Sequence, residues 1–253
     1  MTVKPKRIPL KRTKAYSNDD FINSRDARAL RILAEYLEPR TRFEKHGIED
    51  TIVFFGSARF KEGSPYYEAA RTLAFRLTQW SKALASPTNG PARRFVVCSG
   101  GGPGIMEAAS RGASEARGMS VGLGISIPIE QTDNPYLTHE LGFHFHYFFM
   151  RKFWFAYLAK AVIVFPGGFG TLDELMEVVT LVQTKKMKKP MPIVLFGNDY
   201  WNEVINFDAL VRHGTISPED LQLMHRTDSV DQAYDWVVSQ LTEHALGKPG
   251  AML

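Results

Sequence analysis

A nine-residue stretch, Pro166-Gly167-Gly168-Phe169-Gly170-Thr171-Leu172-Asp173-Glu174, follows directly on the apolar run from Ala161 to Phe165. A turn free of side chains lets backbone N–H groups approach an anion, and a helix starting there adds the positive end of its dipole. Thr171 can donate its hydroxyl to a phosphate oxygen at that helix start. Asp173 and Glu174 fall in the first helical turn, where acids complement the dipole. A carboxylate within a turn of a bound phosphate is nevertheless repelled by it unless it has a role, which favours Glu174 as a catalytic or ribose-binding group. A second glycine turn, Ser99-Gly100-Gly101-Gly102-Pro103-Gly104, follows the apolar run ending at Cys98. One such turn is explained by a tight strand-to-helix connection alone. Two in one sheet point to a phosphate-bearing ligand.

The dinucleotide pattern fails in detail. Counted from Gly100 it needs glycines at 100, 102 and 105, but position 105 is Ile, and no acid ends the next strand to hold a ribose diol. Gly-Lys-Ser/Thr is absent, so there is no Walker loop. A mononucleotide fits better than a dinucleotide or a triphosphate.

The elements that must position these turns follow from patterning. Ser17 or Asn18 can cap a helix carrying Leu30, Leu33 and Leu37 at helical spacing, with Pro39 expected to stop it. Thr51 to Phe55 is a strand apolar on both faces, as in parallel sheets. Ser64-Pro65 opens a helix to about Trp80, and Ser81 to Arg94 is a loop. Strands follow at Arg94 to Cys98, Val121 to Ile127, Phe143 to Phe145, Ala161 to Phe165 and Met191 to Phe196. Helices are expected from Ile105 to about Ala116, Tyr147 to Lys160, the second glycine turn to about Lys186, Asp199 to Val211, and Val230 to His244. Strands alternating with helices predict an α/β fold, a Rossmann-like doubly wound parallel sheet in a single domain spanning 18–253, behind a basic flexible tail at 1–17.

Composition agrees. With 44% hydrophobic residues in 253 the chain can bury a full core. The single cysteine, Cys98, cannot form an internal disulfide, and no apolar run approaches the roughly 20 residues needed to span a bilayer. The start lacks the apolar segment of a secretory signal, so a cytoplasmic protein that does not engage membranes is expected. Net charge is +4, but six of the 31 Lys and Arg precede the first acid, Asp19, leaving 25 bases against 27 acids. Such a tail is more often solvated than bound to nucleic acid, which is not expected as a partner.

The signature Pro166 to Glu174 resembles the Pro-Gly-Gly-x-Gly-Thr-x-x-Glu motif of the Lonely Guy family, nucleoside 5′-monophosphate phosphoribohydrolases long labelled lysine decarboxylases. Met150-Arg151-Lys152 resembles the family's companion motif, Ser99 to Ala108 its first glycine turn, and Phe55-Gly-Ser-Ala-Arg59 the end of its first strand; the likeness covers about Ile52 to Phe196. The resemblance implies a homodimer that splits the N-glycosidic bond of a nucleoside monophosphate, of the AMP or cytokinin riboside type, into base and ribose 5-phosphate without metal or organic cofactor. It implies Arg151 and Glu174 as the catalytic pair, with Lys152 and Asp173 supporting. Gly101, Gly102, Gly104, Gly167, Gly168, Gly170 and Thr171 become the phosphate cradle. Glu107 departs from the plant-type pattern, which often has Gly there. The alternative is a nucleotide-binding or carrier protein that keeps the cradle without turnover; it could lose Arg151 or Glu174, and both are present.

Other chemistry-bearing residues have simpler readings. Nine aromatics crowd the stretch from Phe143 to Tyr157, and Phe148, Phe149, Phe153 and Trp154 suit a core or dimer interface better than base stacking. His144 and His146 fall on one face of a strand, but no third ligand cluster accompanies them, so no metal is expected. Lys185-Lys186-Met187-Lys188-Lys189 reads as a solvated run at a helix end. Lys152 or Lys160 could form a Schiff base, yet no further feature marks a pyridoxal phosphate site.

Overall fold

A computed structural model describes residues 13–84, 93–126 and 134–250. Seven parallel strands form one sheet in the order β4-β3-β2-β1-β5-β6-β7: β1 Thr51–Phe55, β2 Val96–Ser99, β3 Ser120–Ile125, β4 Gly142–Phe145, β5 Ala159–Val164, β6 Ile193–Phe196 and β7 Met224–Thr227. The chain steps outward from β1 to β4, then returns to place β5 against the other side of β1, with Val53 paired both to Cys98 and to Val162. The order therefore reverses between β1 and β5, and ligands of open parallel sheets bind outside the carboxyl ends of the strands at such a reversal.

Helices cover both faces: α1 Asp19–Ile22, α2 Arg28–Lys45, α3 Pro65–Ala83, α4 Ile105–Glu115, α5 Phe148–Leu158, α6 Phe169–Gln183, α7 Asn198–Val204, α8 Phe207–Arg212 and α9 Val230–His244. The two-residue period of a strand divides the core. Ile52 and Phe54 of β1 pack with α3, α4 and α9. Val53 and Phe55 face the opposite side, with Phe43 of α2, Trp154 and Phe155 of α5, Leu175 of α6 and Trp201 of α7.

Several sequence expectations are corrected. Asn18 caps only the one-turn α1, accepting from the Phe21 amide. Pro39 does not stop α2, which runs on to Lys45. Proline removes the N–H that would reach the Glu35 carbonyl four residues back, and the Trp154 indole donates to that carbonyl instead, at 3.0 Å. The Glu35 carboxylate accepts from the amides of His146 and Tyr147, at 2.8 and 3.2 Å, and so ties α2 to the segment entering α5. Lys160 belongs to β5 rather than to the helix before it. The helix expected over 199–211 is two, because the Asn206 side chain accepts from Ala209 N and starts α8 afresh. Strand β7 has no counterpart among the expected strands. Lys189 is not solvated: it is buried and donates to the carbonyls of Ala156 and Tyr157 at 2.8 and 2.9 Å, while Lys185, Lys186 and Lys188 are exposed. The tail over 1–12 and most of the 81–94 loop lie outside the described residues; Ala15–Ser17 forms a single helical turn. Among the described residues no helix is long and apolar enough to cross a membrane.

Candidate functional site

Both glycine turns leave the carboxyl ends of strands that flank β1, one between β2 and α4, the other between β5 and α6. The segment leaving β1 ties them together. Ser57 N donates to the Pro166 carbonyl at 2.9 Å, and Ile105 N, opening α4, donates to the Ser57 carbonyl at 3.1 Å. The glycines differ in what they do. Gly104 has φ +68°, and a Cβ there would overlap the Ser57 carbonyl oxygen. Gly101 also needs its positive φ, +73°, and its amide donates to the buried Ser99 hydroxyl. Gly102 completes the first turn, buried. A Cβ on Gly167 would strike the Thr171 hydroxyl. Gly168 and Gly170 are of another kind. Neither has a positive φ, and nothing in the chain lies within 4 Å of where their Cβ atoms would be. Packing within the protein does not require glycine at either position, and an absent side chain leaves the backbone open to close approach. Among the described residues the amides of 168–171 have no acceptor, as expected of the first turn of a helix without a side-chain cap.

Beside this open backbone stands an ion pair. Arg151 on α5 donates through Nη2 to Glu174 Oε1 on α6, with side chains only 14% and 11% exposed. The guanidinium also reaches the first turn, since a Cβ on Gly100 would lie 3.8 Å from Arg151 Nη2. Its charge lies 5.2 Å from the ring centre of Phe155 and 5.9 Å from that of Phe148, within cation–π range. The buried Arg151 Nε has no hydrogen-bond partner among the described residues. Burial pushes the Glu174 carboxyl up to about 7, with Arg151 opposing the rise. From the next position on α5, Lys152 Nζ is 2.9 Å from both Asp173 and Glu177, a second clamp between α5 and α6. The structure thus brings together Arg151, Glu174, Lys152, Asp173, Thr171 and both sets of glycines. Cys98 lies close by on β2, but burial and the Glu174 charge push its thiol well above the ordinary range, leaving it an unreactive thiol.

Other candidates fall elsewhere. His144 and His146 are exposed on the edge strand β4 and just after it, and among the described residues no group of three His, Cys, Asp or Glu side chains could hold a metal. Neither lysine weighed for a Schiff base offers a free amine beside the turns: Lys152 is held by two carboxylates, and Lys160 is buried 3.5 Å from Asp50 near the amino end of β5. Glu107 accepts from the Tyr67 hydroxyl at 2.7 Å, a contact between α4 and α3. Two participants had no sequence signal: Glu177, one acid among several on α6, and Tyr200, whose hydroxyl donates to the Gly167 carbonyl at 2.5 Å.

The fold and these contacts define a Rossmann-like α/β protein with an open glycine turn and a buried Arg–Glu pair at the switch point. The sequence model of the family described as "Possible lysine decarboxylase" matches residues 106–237, and the chain belongs to that family, the Lonely Guy family of the sequence motif. It is 33% identical over 102 residues to cytokinin riboside 5′-monophosphate phosphoribohydrolase LOG7 of Arabidopsis thaliana, a match covering 36% of this chain and 46% of that protein. It is 29% identical over 187 residues to cytokinin riboside 5′-monophosphate phosphoribohydrolase LOG of Oryza sativa subsp. japonica, covering 72% and 67%. The match thus spans less than half of the Arabidopsis relative. In fold the chain is similar to the molybdenum cofactor carrier protein from Chlamydomonas reinhardtii, with a TM-score of 0.50 and 20% identity over 77% of this chain and 99% of that one.

Proposed function

We propose that the protein hydrolyses the N-glycosidic bond of a nucleoside 5′-monophosphate, releasing the base and ribose 5-phosphate. The observation that carries this reading is the buried Arg151–Glu174 pair standing beside glycines that the chain's own packing leaves open. Phosphate seats against the free amides of 168–171 and the Thr171 hydroxyl, and the guanidinium of Arg151, reaching from α5 to the first turn, adds a cation to the site. In the reaction the C1′–N bond breaks with its electron pair going to the base, and ribose passes through an oxocarbenium-like state. Water adds to C1′; of its two protons one stays on the new hydroxyl and the other ends on the base. Glu174 serves as carboxylate, opposing the developing positive charge and accepting a proton from the attacking water. A carboxyl pushed up to about 7 takes and returns protons near neutrality. The names of the two plant relatives support the same chemistry.

The alternative is a carrier that binds without turnover, a possibility raised by the fold shared with the molybdenum cofactor carrier. One assay separates the two. Incubation with a panel of nucleoside 5′-monophosphates, AMP and a cytokinin riboside monophosphate included, should yield ribose 5-phosphate, while unphosphorylated nucleosides react far more slowly because the cradle has nothing to hold. Binding without ribose 5-phosphate across the panel would establish the carrier. We further propose that two copies associate through α2 and α5, where the exposed Leu33 and Phe149 line a groove of about 540 Å³ and Leu30 and Leu37 extend the exposed apolar stripe along α2.

A further inference from the structure

Helix α7 follows β6, and one of its side chains reaches the second glycine turn. The Tyr200 hydroxyl donates to the carbonyl of Gly167, the oxygen of the peptide whose N–H belongs to Gly168. That peptide is trans, as are the others described, so its C=O and N–H point in opposite directions. A carbonyl fixed toward α7 turns the Gly168 N–H away from α7, and that N–H has no acceptor among the described residues. A carbonyl that accepts a hydrogen bond also polarises its peptide and strengthens the N–H as a donor.

The element carrying Tyr200 is rigid. Trp201 beside it is fully buried, with its indole donating to the Phe196 carbonyl at 3.0 Å. Asn198 donates through its backbone and its side-chain amide to the two oxygens of Asp228, at 2.7 and 2.6 Å. Gly197, with φ +99°, lets Pro166 approach so closely that a Cβ there would sit 3.1 Å from the proline ring. The start of the turn is therefore packed on α7 from one side and pinned by a hydroxyl from the same helix.

We infer that Tyr200 is a positioning residue of the phosphate cradle, acting through the Gly167 carbonyl to aim and strengthen the Gly168 N–H toward the phosphate group of the substrate. The inference rests on the second turn being a phosphate seat, and the experiment keeps the two apart. Wild type and Tyr200→Phe are titrated calorimetrically with ribose 5-phosphate, AMP and adenosine. Loss of the hydroxyl should weaken ribose 5-phosphate and AMP about five- to tenfold, the size expected for one hydrogen bond, and leave adenosine unchanged; KM for AMP rises by the same factor while kcat changes less. Equal weakening of AMP and adenosine, or no weakening, overturns the role of Tyr200. Failure of the wild type to prefer AMP over adenosine or to bind ribose 5-phosphate overturns the phosphate seat itself. A second measurement needs no variant: in the wild type, ribose 5-phosphate but not ribose should move the Gly168 amide proton downfield in the NMR spectrum, and an unmoved Gly168 resonance upon saturation contradicts the aim assigned to that N–H.

Discussion

Glu174 is held in a balance that can be read out by titration. Burial favours its neutral form and the Arg151 guanidinium its charged form, and the outcome lies near 7. With the carboxylate as the working species, as proposed, kcat/KM should rise with pH to a plateau above about 7, falling about tenfold per unit well below it. Arg151→Ala removes the opposing cation, so the rise moves to higher pH and both turnover and affinity fall. Glu174→Gln abolishes that limb and should lower kcat on the order of a hundredfold with a much smaller effect on binding, since the lost charge acts mainly in the transition state. A wild-type rate in Glu174→Gln, measured as ribose 5-phosphate release, would show that another group faces C1′. Both residues are legible in the sequence because each lies in a dense motif. Tyr200 is not: it reaches the site from a different helix, through a backbone carbonyl, and no spacing in the sequence encodes that contact.

At the scale of elements, the apolar runs over β1, β2, β5 and β6 are legible because a parallel strand buried on both faces reads as continuous hydrophobic sequence. Strand β7 escapes for the converse reason. It lies at the sheet edge, has four residues, and reads Met-His-Arg-Thr, with only its end residues buried. The α2 helix misleads in two ways. Its proline is tolerated through the Trp154 indole, and its helical leucine repeat faces outward rather than into the core. Leu30, Leu33 and Leu37 are 45–50% exposed, an apolar stripe that a second copy would cover. Leu33→Glu combined with Phe149→Glu places charges in that stripe without touching the buried core. Light scattering at micromolar concentration should then show a dimer for the wild type and a monomer for the double variant; a wild-type monomer, or a variant that stays dimeric, locates the interface elsewhere or removes it.

The molecule as a whole is polarised, with the open backbone at the carboxyl ends of the strands and a buried charged cluster at the amino ends. Asp50, just before β1, pairs with Arg94 and lies 3.5 Å from Lys160. The same groups hold residues 245–250: Arg94 donates to the carbonyls of Ala245 and Leu246, Lys160 to that of Lys248, and Asp50 accepts from Gly250 N. Lys189, 4% exposed, places a further amine near Lys160 and Asp50. Burial, with Lys160 nearby, lowers its pKa to about 7 from 10.5. A neutral amine keeps two N–H donors, enough for the carbonyls of Ala156 and Tyr157 at the end of α5. The sign of the linkage follows. Between about pH 7 and 10.5 the unfolded chain carries the Lys189 proton and the folded protein largely does not, so this group makes the fold more stable as pH rises. Chemical denaturation of wild type and Lys189→Met, repeated from pH 7 to 10, should show the stability difference moving in favour of the wild type by up to about 1.4 kcal/mol per pH unit. A difference that stays flat across that range would mean Lys189 remains charged inside the fold, with Asp50 rather than the α5 carbonyls as its effective partner.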